Sequence, residues 1–284
     1  MNYKIITDSA CDLPASMLEQ LDVTAVPLSV NFRGQSHKDS VADQEVKTVY
    51  DAMRGGEVAT TAAANPDDLA TRIEPVLRTG KDALVLAFSS GLSATYQSAV
   101  IAAGDLIEQY PQRKVIVVDT GCAALGQGLL VWNVCKQRDA GLSLEELAKW
   151  TEEAKMHTVH WFTVDDLVYL KRGGRVGAAT AVLGAMLNIK PVLHVDDEGH
   201  LVSMVKARGR KASSDTLIKK FDELHEGTEI AFISQADCIE DAKKLEGMLR
   251  ERGVKEVFIG NLGAVIGSHA GPGTLALFFM GKHR

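Results

Sequence analysis

Residues 82–103, DALVLAFSSGLSATYQSAVIAA, constrain the fold of this chain more than any other stretch. Leu84, Val85, Leu86, Ala87 and Phe88 form an unbroken apolar run, the pattern of a strand buried on both faces. Ser89, Ser90, Gly91, Leu92 and Ser93 then make a small polar bend, and helix-forming residues follow over 94–103. A strand, a tight turn and a helix in that order belong to an open parallel sheet, where ligands bind beside such turns at the carboxyl ends of the strands. The first turn of a helix also offers free N–H groups and a partial positive charge to an anion. Ser93 therefore either holds an anionic group or caps its own helix.

The rest of the first half repeats the alternation. Strands are expected at 3–6, 23–32 and 114–119, with Pro27 marking an edge or a bend in the second. Helices are expected from 12–14 onward, with Pro14 in the first turn, at 43–53 before Gly55-Gly56, from Pro66 to near Gly80, and from the TGCAALGQG turn to Ala140. Residues 58–65 read as a polar, alanine-rich loop. Strands alternating with helices imply a parallel, doubly wound sheet.

After a helix at 144–155 the pattern changes. A strand at 158–164 and a short helix at 165–171 meet a break at Arg172-Gly173-Gly174-Arg175, and an apolar helix covers 178–187. Runs 191–195 and 201–206 flank Asp196-Asp197-Glu198-Gly199, a turn suited to a β-hairpin. Strands at 229–234 and 256–261, the glycine-rich loop GAVIGSHAGPG and a last strand at 274–280 complete the chain. The expected organisation is an N-terminal α/β domain, 1–156, with an open parallel doubly wound sheet, and a C-terminal α/β domain, 157–284, with a mixed sheet.

Composition excludes several classes. With 46% hydrophobic residues among 284, the chain can bury a substantial core, and its net charge of −6 argues against non-specific nucleic-acid binding. No apolar run nears the ~18 residues of a spanning helix, so stable membrane insertion is not expected. Cys11, Cys122, Cys135 and Cys238 show no C-x-x-C spacing, which suggests neither zinc nor disulfides and makes the cytoplasm the default location.

Four loops share small hydroxyls and glycines: Thr7-Asp8-Ser9, Thr60-Thr61, Ser89 to Ser93, and Gly267 to Gly273; Asp119-Thr120 resembles a fifth. Each alone is an ordinary turn, and together they can ring one crevice. His269 is either positioned for a ligand by its glycines or satisfied locally on a surface loop, while His157 and His160 read as structural. No P-loop is present, Ser93 is not in G-x-S-x-G, and the glycines at 271 and 273 lack the acidic residue of a dinucleotide fingerprint. A Ser93–His269–Asp8 triad remains imaginable. Arg172 and Arg175, then Lys206, Arg208, Arg210 and Lys211, form two basic clusters, either a solvated face or a docking surface. Leu183, Met186, Leu187 and Ile189 lie on or just after the apolar helix, which is either ordinary core or the wall of an apolar pocket.

ITDSACDLP, SSGLSATYQSA, LKRGGRVGAATAVLGAMLNIKPVLHVDDEGHL, KARGRKA and GSHAGPGTLALFF together resemble the DegV family, in order and over essentially the whole chain. The resemblance implies a bacterial protein, not itself an enzyme and without a cofactor, that binds a long-chain fatty acid non-covalently in an apolar tunnel between two α/β domains. It further implies that the carboxylate, held by Thr61, Ser93 and His269, is presented to an ATP-dependent kinase partner for acyl phosphate formation. Leu183, Met186, Leu187 and Ile189 would line the tunnel. Arg172, Arg175, Lys206, Arg208 and Arg210 would form a docking face, with the carrier a monomer. The chain departs from the family at Thr60-Thr61-Ala62-Ala63-Ala64, where the family carries further Gln, Pro and Ser, and at Ala270, where it carries Thr. The alternatives are a serine hydrolase using Ser93 and His269, or a fatty-acid sensor without a kinase.

Overall fold

The computed structural model describes residues 2–39, 43–176 and 188–284. The expected helix at 178–187, with Leu183, Met186 and Leu187, lies outside the described residues. The first half runs β1 (Tyr3–Asp8), α1 (Ala15–Gln20), β2 (Val23–Val26), β3 (Ser29–Phe32), β4 (Gln35–Lys38), α2 (Asp43–Arg54), β5 (Thr60–Ala62), α3 (Pro66–Arg78), β6 (Asp82–Ala87), α4 (Thr95–Gln109), β7 (Val115–Asp119), α5 (Ala124–Asp139) and α6 (Leu144–Ala154). The second half runs β8 (Thr158–Thr163), α7 (Val168–Arg172), β9 (Ile189–Val195), β10 (Leu201–Arg208), α8 (Gly209–Leu224), β11 (Ile230–Gln235), α9 (Ile239–Arg250), β12 (Glu256–Asn261), α10 (Ala264–Ala270) and β13 (Leu275–Met280).

Two principal sheets organise these elements. The four-stranded sheet has the order β2-β1-β6-β7, and every pair in it is parallel. The six-stranded sheet has the order β10-β9-β8-β13-β11-β12 and is mixed, since only β11 and β12 pair in parallel while its other neighbours run antiparallel. The apolar run of β6 is buried throughout after Asp82, as a strand covered on both faces must be. On one side α3 buries Leu69, Ile73 and Leu77; its start is set by Pro66 and a reciprocal cap between Asn65 and Asp68. α5 is buried on nearly all sides and packs against both α6 and strands β8, β11 and β13. A helix buried all round over its first turns must lie between two layers, and α5 is the layer the two sheets share.

Three local expectations change. The run 23–32 is not one strand: at Pro27 and Leu28 the chain leaves β2, on the parallel sheet, and enters β3, which pairs with β4 and β5 in a separate three-stranded sheet. Pro27 lacks the N–H that a continuous ladder would need. The loop at 58–65 contains β5, and the glycine-rich loop after β12 contains the helix α10. The glycines of α10 permit close packing rather than looseness. A Cβ on Gly267 would lie 2.2 Å from the Tyr50 hydroxyl of α2, which itself donates to the Leu262 carbonyl at 2.6 Å.

Candidate functional site

A cavity of about 200 Å³ lies between the two sheets. Leu28, Phe88, Leu92 and Ala123 wall it from the parallel-sheet side, and Phe162, Val195, Leu201 and Phe278 from the mixed sheet. Its polar lining comes from Thr61, Ser93, His160, Arg175, His269 and Thr274. Two of these are already satisfied. Thr274 donates its hydroxyl to the carbonyls of Ala270 and Gly271 at 3.0 and 2.8 Å. Buried His160 places Nδ1 2.9 Å from the Thr158 carbonyl and Nε2 3.5 Å from the Ala123 N–H. Burial, then the charge of Arg284, pushes its pKa down to about 3, so the ring is neutral and its Nε2 accepts.

The remaining four polar residues are connected. Thr61 is held on β5 by pairing with Val30, and its Oγ1 lies 2.7 Å from His269 Nε2. His269 stands in the last turn of α10 with Nδ1 against Gly173, where a Cβ would approach to 2.1 Å. Burial and the neighbouring Arg175 charge lower the His269 pKa to about 4, so this imidazole is also neutral near pH 7. Arg175 donates from Nε to the Leu92 carbonyl at 3.1 Å and from Nη1 to the Gly173 carbonyl at 2.5 Å. Leu92 precedes Ser93, whose Oγ lies 2.9 Å from Thr95 Oγ1 and accepts from the Thr95 N–H at 3.2 Å.

The loop carrying Ser93 is fixed by the hairpin turn of the other half. Ser89 Oγ donates to the Gly199 carbonyl at 2.8 Å, and a Cβ on Gly91 would come within 2.9 Å of that same oxygen. Glycine at 91 is therefore required by a close approach between the two halves.

The structure thus brings together Thr61, Ser93 and His269. It does not assemble the imagined triad. Among the described residues His269 bonds to Thr61, Ser93 bonds to Thr95, and Asp8 lies beneath the loop, accepting from the N–H groups of Phe88 and Ala10 at 2.7 and 3.1 Å. Ile189 sits on β9 opposite Arg208 and is not part of the cavity wall.

The basic residues separate into two groups. Arg172, Lys206 and Arg208 are exposed, with Arg172 lying 5.9 Å over the Tyr169 ring. Arg210 instead faces inward, with ion pairs to Asp165 at 3.2 Å and Asp241 at 3.0 Å and a hydrogen bond to the Gly273 carbonyl. Arg175 faces the cavity. Its presence there was not anticipated, because LKRGGR reads as a solvated basic turn; its one signal was an arginine just after two glycines that let the chain turn back on itself.

The fold defines an α/β protein whose two principal sheets flank an apolar cavity with a small polar cluster. The family model described as "Uncharacterised protein, DegV family" matches residues 2–282. A DegV domain-containing protein of Clostridium perfringens is 42% identical over 284 residues, covering 98% of this chain and 97% of its own. A DegV family protein from Thermus thermophilus, described by its fatty acid binding, is 34% identical with a TM-score of 0.88, covering 98% of this chain and 99% of its own. The Streptococcus pneumoniae fatty acid kinase B3 protein, loaded with linoleic acid, shares the fold at 24% identity with a TM-score of 0.86, over 99% of both chains. This chain belongs to the DegV family. No helix among the described residues is long and apolar enough to cross a membrane.

Proposed function

We propose that this protein binds one long-chain fatty acid without a covalent bond, its tail in the cavity and its carboxylate at Thr61, Ser93 and His269. The observation that carries the reading is the Thr61–His269 hydrogen bond at 2.7 Å in a cavity walled mostly by apolar side chains that Ser93 also lines. The Thermus relative, which covers nearly the whole chain, supports the same ligand class. Burying about 14 methylenes at ~0.8 kcal/mol each contributes on the order of 11 kcal/mol, before association and ordering costs remove several. The tail therefore supplies affinity, and the head group needs only to avoid being left unpaired.

In this reading the carboxylate is presented to an ATP-dependent kinase. A carboxylate oxygen attacks the γ-phosphorus of ATP, the bond to ADP breaks, and an acyl phosphate leaves on the carrier. Exposed cations support a docking role: Arg172 at the end of α7 and Lys206 and Arg208 on β10 all face solvent. On a chain of net charge −6 such exposed cations would steer an acidic partner. The B3 protein, of like fold, belongs to a fatty acid kinase.

Calorimetric titration of delipidated protein with tetradecanoic acid tests the binding step. Saturable binding at one site per chain is expected, and the absence of saturable binding would overturn the reading.

A further inference from the structure

Arg284 follows the last strand, β13, yet it is buried, with 6% of its surface exposed. Its guanidinium collects carbonyls from three separate stretches of chain. Nη1 donates to Gly121 at 2.7 Å and to Asp196 at 3.3 Å, and Nη2 donates to Thr120 at 3.2 Å and to Lys155 at 2.6 Å. The planar fork of an arginine holds several acceptors at once at fixed angles, which a lysine cannot do. The seat fits closely, since a Cβ on Gly121 would lie 2.8 Å from Nη1.

Both sides of that seat lead to Ser89. On one side, the loop 119–122 grips the serine loop: the Cys122 carbonyl accepts from the Ser89 N–H at 3.1 Å, and the Asp119 carboxylate accepts from the Ser90 N–H at 3.1 Å. On the other side, the Asp196 carbonyl that receives Arg284 also accepts from the Gly199 N–H at 2.9 Å, and the Gly199 carbonyl accepts from Ser89 Oγ at 2.8 Å. The Ser89 carbonyl in turn accepts from the Ser93 N–H at 3.0 Å. A continuous chain of contacts therefore runs from Arg284 to Ser93, which lines the cavity.

Resting on the fatty-acid reading, in which Ser93 meets the carboxylate, we infer that Arg284 is a positioning residue for the head group: it fixes the place of Ser93 by clamping the 119–122 loop and the 196–199 turn onto Ser89. Hydrogen bonds weaken steeply with misalignment, so affinity for the carboxylate depends on a side chain that acts only through the serine loop.

The test titrates tetradecanoic acid into delipidated parent, Arg284→Gln, Ser93→Ala and the double variant. Arg284→Gln should remove most of the roughly tenfold affinity that Ser93 contributes, and on the Ser93→Ala background it should cost less than about twofold more. Equal losses on the two backgrounds would make Arg284 a general brace of the fold and overturn the inference, as would parent-like binding by Arg284→Gln. Amide hydrogen exchange on the ligand-free proteins gives a second reading that needs no fatty acid. The Ser89, Ser90 and Ser93 amides should exchange faster in Arg284→Gln, or in Arg284→Lys should the first variant fail to fold, while the amides of β12 keep the parent rates. Unchanged exchange at the three serines, or an equal rise at β12, would overturn the inference. A parent protein that binds no tetradecanoic acid overturns the fatty-acid reading itself, and the exchange result then decides on its own whether Arg284 positions Ser93.

Discussion

Thr61 on β5 and His269 at the end of α10 are separated by 208 positions and joined by a 2.7 Å hydrogen bond. That contact links the three-stranded sheet to a helix from the other half of the chain, so the proposed head-group site needs both halves in place. Thr61→Ala and Ser93→Ala should each weaken tetradecanoic acid binding by roughly tenfold or more, the cost of one hydrogen bond to a charged group. Because both would serve one carboxylate, the double variant should lose less than the sum of the two. Calorimetry on the three variants checks both statements, and parent-like affinity in both single variants would move the head group elsewhere.

Gly173 offers an indirect way to displace His269. Its backbone is right-handed helical at φ −73 and ψ −12, so alanine is conformationally acceptable there. The added methyl carbon would nevertheless lie 2.1 Å from His269 Nδ1. Gly173→Ala should cost about 1–3 kcal/mol of stability through overpacking and reproduce the binding loss of His269→Ala. Gly104→Ala is the control, since an added Cβ at this site on α4 has nothing within 4 Å. It should raise stability by about 0.5–1 kcal/mol. Thermal unfolding and fatty-acid titration of the three variants decide the matter.

The acid limb of stability should carry the signature of buried histidine. His160 titrates at about 3 in the folded protein, against roughly 6.5 when unfolded. Its folded pKa is depressed, so unfolding takes up a proton between these values. The stability it contributes is complete above pH ~6.5 and falls as pH drops toward the folded value, by about 1.4 kcal/mol per pH unit. His160→Asn should flatten the decline by that amount between pH 6 and 4. Denaturant unfolding at a series of pH values measures it, and parallel curves for parent and variant would contradict it.

Much of the architecture was legible because it rests on patterns a chain must show. The buried run of β6, the hairpin of β9 and β10, and the alternation that builds the parallel sheet are all periodicity and turn chemistry. What escaped depends on long-range contact. The stretch 23–32 has the composition of one strand, and only its pairing reveals that Pro27 divides it between two sheets. β5 is three residues long and has no local signature. The GSHAGPG stretch has loop composition, yet its first residues belong to α10, and position 267 is a glycine because Tyr50 leaves no room for a side chain. Arg175 and Arg210 were indistinguishable from their exposed neighbours, since nothing local says which cation turns inward.

That separation of the arginines makes a docking prediction sharper. Arg172→Glu combined with Arg208→Glu should slow turnover by an ATP-dependent fatty acid kinase while leaving fatty-acid affinity unchanged, with the largest effect at low salt. Arg210→Glu should instead destabilise the chain, because it would set a third carboxylate against Asp165 and Asp241. Coupled ATP-consumption assays and thermal unfolding separate the two outcomes. Unchanged turnover by the double variant at low salt would return Arg172 and Arg208 to an ordinary solvated surface.

Non-covalent occupancy of the cavity by a fatty acid is tested most directly by a native mass spectrum of protein purified from cells. The expected result is a mass increase of one long-chain fatty acid per chain that disappears on denaturation and is recovered as free acid in an organic extract. A spectrum showing only the bare chain, or an acyl increment on Ser93 that survives denaturation, would contradict it.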